Sequence, residues 1–250
     1  MESLWFSFFA GGSTVIGAII IMFFGVPGEK TMATLLGFAG GVMIALSVFE
    51  LMPEALHLGS VTATVMGFLL GSGMMFALDS IMPHAHMSIN ESVFVENVKE
   101  MPKAHPDILR TGYLIFFGIG LHNVPEGLAI GAGLEASPEL GLYIALAIGM
   151  HNIPEGLAVA GPLRAGGLSM LRVIVFTLSA GLMTVLGTAI GLVVFNISPD
   201  FVGGSLAFAA GAMIYIVNDE LIPQANGLHD HLANIGLISG LLLGFVMLNL

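Results

Sequence analysis

The sequence predicts an all-α polytopic membrane protein, and three observations support this prediction. Hydrophobic residues make up 56% of the 250-residue chain and charged residues only 9%, whereas a soluble domain carries about 25% charged residues. The apolar residues form runs close to the roughly 20 residues that an α-helix needs to cross a bilayer. Two parts of the chain also resemble each other at a constant separation of 170 residues, as in transporters built from repeated bundles.

The apolar runs predict eight transmembrane helices in one domain that covers residues 1–250. Gly, Pro and charged residues separate the runs, for example at 26–30, 136–139 and 198–200, and such residues favour turns. The N-terminus lacks the basic region of a cleaved signal peptide, so we expect the first run to be retained. The predicted spans are 4–24, 31–52, 60–82, 108–134, 139–162, 168–196, 202–222 and 232–250.

The basic residues predict the orientation in a cell membrane. They lie in the connections after spans 1, 3 and 5 and comprise Lys30, Lys99, Lys103, Arg110, Arg164 and Arg172. Because basic connections stay in the cytoplasm, both termini are expected outside it. The connection 83–107 is then a cytoplasmic loop. Its histidines His84, His86 and His105 could capture a metal ion, or they could be incidental residues of a solvated loop.

One motif occurs twice, as His-Asn-Val-Pro-Glu-Gly-Leu-Ala at 122–129 and His-Asn-Ile-Pro-Glu-Gly-Leu-Ala at 151–158. His and Glu are four residues apart and therefore share one helix face. Each proline frees the carbonyl four residues earlier. Both copies lie roughly 18 Å into a core about 30 Å thick, on consecutive and hence antiparallel spans. They predict a midplane site for a divalent metal, with the ligands His122, Asn123, Glu126, His151, Asn152 and Glu155. The alternative is a set of buried polar residues satisfied by neighbouring helices.

The repeat aligns residues 37–55 with 207–225 and pairs Met43 with Met213, Glu50 with Glu220 and Pro53 with Pro223. The same separation pairs Ala10, Gly11, Thr14 and Gly17 with Ala180, Gly181, Thr184 and Gly187. An odd number of spans separates the copies, so they run in opposite directions. This pattern predicts an inverted repeat of spans 1–3 and 6–8, which rocks against spans 4 and 5. Chance similarity between Gly- and Ala-rich helices is the alternative.

Carboxylates near the ends of two spans could extend the ion path. Glu50 and Glu54 lie near the outer end of span 2, and Asp219 and Glu220 lie near the inner end of span 7. We interpret them as relay sites for a cation, against the alternative of ordinary helix-end carboxylates.

The paired motifs, the eight spans and the His-containing loop resemble the ZIP family of divalent metal transporters, closest to its prokaryotic branches. The resemblance implies import of zinc, or of iron, manganese or a related ion such as cadmium, into the cytoplasm. It also implies that the six motif residues named above are metal ligands. By the same resemblance, Met43 and Glu50 on span 2 line the path.

One departure from the family concerns span 6. Members with a two-metal site are expected to carry a carboxylate there, but residues 168–196 contain no Asp, Glu or His, and Thr184 takes the matching position. Some members also have Asp where this chain has Asn152. Glu126 and Glu155 together neutralise one divalent ion, and a second ion would leave two uncompensated charges at low dielectric. We therefore expect one metal at the central site, unless Glu50 or Glu220 moves in.

Other functions fit the sequence less well. A zinc protease requires His-Glu-x-x-His, and neither motif has that order; no catalytic or cofactor-binding residue is predicted. A metal sensor would not need the repeat. The main alternative is a passive, channel-like metal pathway with the same ligands. The chain has no cysteine and a net charge of −11, which excludes thiolate sites and argues against nucleic acid. The expected partners are divalent metal ions and membrane lipid, and a homodimer is compatible with these features.

Overall fold

In the computed structural model, which describes residues 2–81, 106–194 and 199–248, every regular element is helical. The elements are α1 Glu2–Gly12, α2 Thr14–Phe24, α3 Glu29–Leu46, a first π-turn Ser47–Leu51, α4 Met52–Leu58, α5 Val61–Ile81, α6 Pro106–Ala136, α7 Pro138–Ala165, α8 Met170–Val194, α9 Pro199–Ile216, a second π-turn Val217–Leu221 and α10 Ile222–Met247.

Local sequence explains where several helices begin and end. At the start of α7, the Ser137 side chain accepts a hydrogen bond from Leu140 N at 3.1 Å, and Pro138 occupies the first helical position, where its missing N–H is not needed. Gly25 after α2 and Gly167 after α7 have φ of 80° and 98°. Only glycine adopts such values readily, so the chain can turn sharply at these points.

A wide π-helical turn interrupts a helix at two places that lie 170 residues apart. Met52 N–H donates to Ser47 O, and Ile222 N–H donates to Val217 O, in both cases five residues back instead of four. Pro53 and Pro223 follow directly and have no N–H to offer. Sequence reasoning did not predict these turns.

Helix α10 has a break at His229, where the backbone is extended with φ of −168° and ψ of 100°. Leu232 N lies 3.4 Å from His229 Nδ1, so the imidazole accepts from the first turn of the second half. The break falls between predicted spans 7 and 8.

The distribution of polar and apolar side chains is that of a multi-pass membrane protein. In the described ranges, five helical stretches are long and apolar enough to cross a membrane: Leu4–Phe24, Glu29–Leu58, Pro138–Ala165, Met170–Leu192 and Pro199–Met247. Large apolar residues face outward, including Phe24 at 86% exposed and Leu171 at 72% exposed. The Asn and Glu side chains of the two motifs on α6 and α7 are fully buried instead.

The helices pack in pairs around α6 and α7. Helix α3 lies on α10, and α5 lies on α9. Helix α6 contacts α7 and α8, while α7 also contacts α2, and α1 lies on α8. The two motif-bearing helices are therefore covered by neighbours from both ends of the chain.

Candidate metal site

The two motifs lie side by side in the interior, because α6 and α7 are packed together. All six predicted ligands of the motifs are buried: His122, Asn123, Glu126, His151, Asn152 and Glu155. Of these six, the structure brings the two histidines and the two glutamates into contact with one another.

Each histidine reaches the glutamate of the other motif. His151 Nε2 is hydrogen-bonded to Glu126 Oε1 at 2.7 Å. His122 Nε2 lies 3.2 Å from Glu155 Oε1 and 3.5 Å from Glu126 Oε1. Glu126 therefore contacts both imidazoles, whereas Glu155 contacts one.

Three of these residues have ligand atoms close enough to share one ion. One ligand atom each from His122, Glu126 and Glu155 lies within 4.8 Å of the others. Among the described residues, no other three His, Asp or Glu side chains come this close together. Imidazole nitrogen with carboxylate oxygen is a donor set for zinc and related divalent ions. His151 is outside this trio and instead orients Glu126.

Several atoms of the cluster lack a hydrogen-bond partner among the described residues. They are both ring nitrogens of His122, Nδ1 of His151, Oε2 of Glu126 and both carboxylate oxygens of Glu155. A buried carboxylate without compensation is strongly unfavourable. A divalent cation would compensate both carboxylates at once, which makes this cluster suitable for a metal ion.

The two asparagines bind to helices outside the motif pair. Asn123 Nδ2 donates to Ala180 O of α8 at 2.9 Å, and Asn152 Nδ2 donates to Ala10 O of α1 at 3.2 Å. Ala10 and Ala180 are partners in the sequence repeat. The amide nitrogens are thus occupied, and the amide oxygens Oδ1 of both residues are buried without a partner among the described residues.

The glycine of each motif allows a neighbouring backbone to approach. A Cβ atom added at Gly127 would overlap Thr184 O of α8, and one added at Gly156 would overlap Thr14 O of α2. Thr14 and Thr184 are again repeat partners. These two contacts were not predicted from the sequence, because they depend on how the helices cross.

Hydroxyl groups hold these contacts in place. Ser13 Oγ donates to Ala10 O at 2.6 Å and lies 2.7 Å from Gly149 O of α7. Thr188 Oγ1 donates to Gly127 O at 2.7 Å, and the Ser7 hydroxyl is hydrogen-bonded to Thr188 Oγ1. Helices α1 and α8 are therefore tied to the motif helices by polar as well as steric contacts.

The remaining predicted residues lie outside the trio. Met43 is fully buried on α3, and Glu50 is partly buried in the first π-turn. Glu220 lies in the second π-turn, with Oε1 3.5 Å from the position that a Cβ on Gly118 would take. Gly118 is one helical turn before His122. The roles of these three residues on an ion path remain predictions, while His84, His86 and His105 lie outside the described residues.

Comparison with known proteins assigns the chain to a family. A family model described as ZIP Zinc transporter matches residues 83–250. Zinc transporter ZupT from Escherichia coli O7:K1 (strain IAI39 / ExPEC) is 38% identical over 225 residues, which cover 86% of this chain and 83% of the relative. The chain belongs to the ZIP zinc transporter family. The ZupT proteins of Escherichia coli O1:K1 / APEC and of strain K12 / DH10B match with the same identity and coverage.

ZIP membership confirms the resemblance that was based on the paired motifs. It also confirms the prediction of a transmembrane protein that takes part in metal ion transport. These relatives are named as transporters and not as enzymes. The motifs, which the comparisons do not address, are the part of this ZIP protein where buried ligand atoms converge.

Proposed function

We propose that this chain imports a divalent metal ion, zinc first, into the cytoplasm through the cluster between α6 and α7. One observation carries the proposal: ligand atoms of His122, Glu126 and Glu155 lie within 4.8 Å of one another in a fully buried position. Intramembrane ionisable groups are costly and are usually retained for function. Two copies of one motif supply all of these atoms.

Zinc is the first choice of cargo for two reasons. The similar ZupT proteins are named zinc transporters, and mixed imidazole and carboxylate ligands bind zinc more tightly than iron(II) or manganese(II). These ligands release an ion more readily than thiolates would, which suits transport. Iron, manganese and cadmium remain further candidate cargoes because ligand type alone does not fix selectivity.

We propose that the chain forms eight spans with an inverted repeat. The residue ranges of the helices support this proposal. Helix α3 and the first π-turn begin and end 170 residues before α9 and the second π-turn. Helix α4 ends at Leu58, and the matching position, Leu228, directly precedes the break at His229. The apolar stretch Pro199–Met247 has 49 residues, and a straight helix of that length would be roughly 73 Å long, more than twice a bilayer core of about 30 Å. The break therefore separates two spans.

We further propose that both termini lie outside the cytoplasm. Among the described residues, Lys30, Arg110, Arg164 and Arg172 lie at the same side under this topology, close to the ends of α3, α6, α7 and α8. Basic residues near the ends of spans favour the cytoplasmic side.

One ion at a time is the proposed stoichiometry. Glu126 and Glu155 supply two negative charges, and the matching position on α8 is the neutral Thr184. A second divalent ion would lack compensation in a site where charge interactions are strong. Metal analysis of pure protein should give one tightly bound ion per chain, and two ions that are both lost in Glu126→Ala would contradict this stoichiometry.

The packing favours a different division of the protein into two moving bodies from the division that the sequence repeat predicts. The asparagines and glycines of both motifs contact α1, α2 and α8, so spans 1 and 6 are tied to spans 4 and 5 instead of to the other arm helices. We propose that α1, α2, α6, α7 and α8 move as one body against α3, α4, α5, α9 and α10. The site then alternates between the two sides of the membrane.

Engineered disulfides can test this boundary, because the chain has no cysteine of its own. Ser13→Cys with Gly149→Cys would link α7 to the segment between α1 and α2, inside the proposed moving body. Gly118→Cys with Glu220→Cys would link α6 to the second π-turn, across the boundary, through a thiol-specific cross-linker that reduction cleaves, because α6 approaches the end of the Glu220 side chain and not its Cβ. We expect the first pair to retain zinc uptake when oxidised, and the second to lose uptake reversibly, with recovery on reduction. Loss in the first pair and retention in the second would contradict the proposed division.

Radiolabelled zinc uptake into proteoliposomes tests the function itself. The native chain is compared with Glu126→Gln plus Glu155→Gln, and with Glu135→Gln plus Glu139→Gln as matched control. The control removes the same number of charges from exposed positions of the same two helices. We expect saturable uptake in the native chain and the control, and none in the first double variant. Manganese, iron(II) and cadmium as competitors would rank the cargoes.

Three other outcomes would overturn this proposal in different ways. Flux that follows the gradient without saturating would indicate the channel-like alternative. Normal uptake in Glu126→Gln plus Glu155→Gln would place the ion path elsewhere. Stoichiometric zinc binding by the native chain without any flux would indicate a sensor.

A further inference from the structure

The two bodies that we propose to move against each other differ in charge at their cytoplasmic ends. Among the described residues, the ends of α6, α7 and α8 in the moving body carry Arg110, Arg164 and Arg172. The described Lys or Arg at the same side of the other body is Lys30, and Glu29 lies next to it. Under the proposed topology, the moving body therefore presents three positive charges to the cytoplasmic side of the membrane.

Packing brings the cytoplasmic ends of these three helices together. A Cβ atom added at Gly166, directly after α7, would lie 2.7 Å from Leu109 Cα on α6. The rings of Tyr113 and Phe176 have centroids 5.4 Å apart and join α6 to α8. The three arginines therefore belong to helix ends that adjoin one another.

Two of the arginines lie on the helix faces that bear this ring contact. Arg110 precedes Tyr113 by three residues, and Arg172 precedes Phe176 by four. Each arginine is thus about one helical turn from its ring, on the same face of its helix. Because α6 and α8 both begin at the cytoplasmic side, both arginines lie on that side of the rings. Their side chains are exposed, so both guanidinium groups are accessible from neighbouring positions.

None of the three arginines is neutralised by a described carboxylate. The ion pairs in the described part of the chain join histidines to carboxylates, and none of them includes an arginine. Arg164 donates from Nη1 to Leu168 O at 3.0 Å, which leaves most of its five N–H donors available. Guanidinium groups bind phosphate oxygens through paired hydrogen bonds. The three arginines therefore suit a partner that carries phosphate.

Apolar side chains continue from the arginines toward the membrane interior. Val175 lies three residues beyond Arg172, and Phe117 lies seven residues beyond Arg110. These spacings keep both side chains on the faces of the arginines, and each is more than half exposed. The surface thus has a basic end and an apolar length. That combination matches a phospholipid better than a free anion or an acidic peptide.

We propose that Arg110, Arg164 and Arg172 bind the phosphate of an anionic phospholipid in the cytoplasmic leaflet, with an acyl chain along Val175 and Phe117. Basic residues between transmembrane helices on this side form headgroup sites of this kind. The headgroup is anionic because a zwitterionic one would bring its own positive charge beside the arginines. The inference rests on the topology and the moving body of the proposed function, and it adds a partner.

The bound phospholipid has a consequence for the moving body. Three like charges on adjoining helix ends repel one another, and an anionic headgroup offsets this repulsion. Binding therefore stabilises the contact between the cytoplasmic ends of α6, α7 and α8. The other body, in which Lys30 has Glu29 beside it, does not need this compensation.

The first experiment measures binding of short-chain phosphatidylglycerol to pure protein in a neutral detergent by calorimetry. Phosphatidylcholine with the same chains tests the need for negative charge. Glycerophosphoglycerol, which is the headgroup without chains, tests the need for apolar contact. We expect the native chain to bind phosphatidylglycerol about tenfold or more tightly than either compound. Equal affinity for the two phospholipids, or for the chain-free headgroup, would overturn the proposal.

Variants in the same assay assign the binding to the arginines. Arg110→Gln plus Arg172→Gln should lose the preference for phosphatidylglycerol, whereas Arg110→Lys plus Arg172→Lys keeps the charges and should retain part of it. Lys30→Gln is the matched control, because it removes an exposed basic residue of the same side from the other body, and it should bind as the native chain does. A native preference in the glutamine variant, or an equal loss in Lys30→Gln, would overturn the assignment.

Zinc uptake into proteoliposomes tests the consequence for transport. The native chain and Arg110→Gln plus Arg172→Gln are each reconstituted in phosphatidylcholine with and without phosphatidylglycerol. At saturating zinc, a charged membrane no longer acts through the zinc concentration at its surface. We expect phosphatidylglycerol to raise the maximal rate of the native chain severalfold and to leave that of the variant unchanged. The same response in both proteins would contradict the stabilising role of the site.

Binding and uptake together separate this inference from the proposed function. If the native protein shows no saturable zinc uptake in either membrane, the proposed function fails, and the measurements in detergent still decide whether the lipid site exists. If the native protein transports zinc but binds phosphatidylglycerol no more tightly than phosphatidylcholine, only the lipid site fails.

Discussion

The two copies of the HNxPEG motif have nearly the same sequence but unequal surroundings. Both place an asparagine against the backbone of a repeat-related helix, at Ala180 for one and Ala10 for the other. Within the described residues, only the copy on α6 has a hydroxyl donor on the carbonyl of its glycine, from Thr188 to Gly127. The position that the repeat alignment pairs with Thr188 is Ala18. The backbone arrangement is shared between the copies, while the hydroxyl chemistry is not.

The carboxylates of the two copies are also unequal. Glu126 lies 2.7 Å from one imidazole and 3.5 Å from the other. Glu155 lies 3.2 Å from His122 and leaves both of its oxygens without a hydrogen bond among the described residues. Duplicated motifs can therefore form a site whose halves have different tasks, and variants at matched positions can measure that difference.

The largest expected effect is on zinc binding by single carboxylate variants. Glu126→Gln and Glu155→Gln should each weaken zinc binding by more than about 100-fold, because each removes a ligand and half of the compensating charge. Glu126→Gln should be the more severe because Glu126 contacts both histidines. Calorimetry with Glu135→Gln as an exposed control on the same helix checks this. Equal losses would indicate that the two carboxylates are equivalent.

The next effect concerns stability and should be the same for both copies. Gly127→Ala and Gly156→Ala each place a methyl group against a backbone carbonyl that cannot move aside. We expect a loss of about 3 kcal/mol in the free energy of unfolding for each. Thermal unfolding in detergent measures it. Gly73→Ala on α5, where a Cβ would meet nothing within 4 Å, should be neutral or stabilising, and a loss there of similar size would contradict the steric explanation.

Acidification should act on both copies together. Imidazole binds a metal only when it is neutral, and its ordinary pKa is about 6.5. Lowering the pH from about 7.5 to about 5.5 should therefore weaken zinc binding by about tenfold or more, while raising the pH above 7.5 should change it little. Zinc Kd measured across this range, at constant ionic strength, checks the sign. Tighter binding at low pH would exclude the histidines as ligands.

The smallest effect distinguishes the hydroxyl contacts of the two copies. Thr188→Val removes the donor to Gly127 O, and Ser13→Ala removes the hydroxyl that donates to Ala10 O and lies 2.7 Å from Gly149 O. Each should reduce the free energy of unfolding by about 1 kcal/mol, the usual contribution of one buried hydrogen bond. Uptake KM should remain near native in both. A large change in KM for either variant would assign its hydroxyl to the ion path.

Much of the site could be predicted from the sequence because two short motifs supply all of its candidate ligands. The spacing of His and Glu places them on one helix face, and consecutive spans bring the two faces together. The repeat alignment also paired Ala10 and Thr14 with Ala180 and Thr184, and these four positions lie against the motifs. What the alignment did not indicate is that they contact the motif asparagines and glycines.

Some features that sequence reasoning missed depend on tertiary contacts, and others are local. The cross-pairing of His122 with Glu155 and of His151 with Glu126 is set by the offset between α6 and α7, which neither motif encodes alone. The two π-turns are a local consequence of Pro53 and Pro223, and the prolines were visible, but a proline favours a kink, a helix end or a wide turn equally. The grouping of α1, α2 and α8 with the motif helices required the packing itself.

Each of the two π-turns inserts one extra residue into its helix. A wide turn carries one more residue than the α-helix around it, so the helix beyond it is rotated relative to the helix before it. Such a defect could in principle travel along a helix by exchanging hydrogen bonds. Pro53 and Pro223 stand directly after the two turns, and a residue without an N–H cannot take part in that exchange. The extra residue therefore stays at its position in each helix. Glu50 and Glu220 are held at the point where the helix before the π-turn and the helix after it are rotated relative to each other.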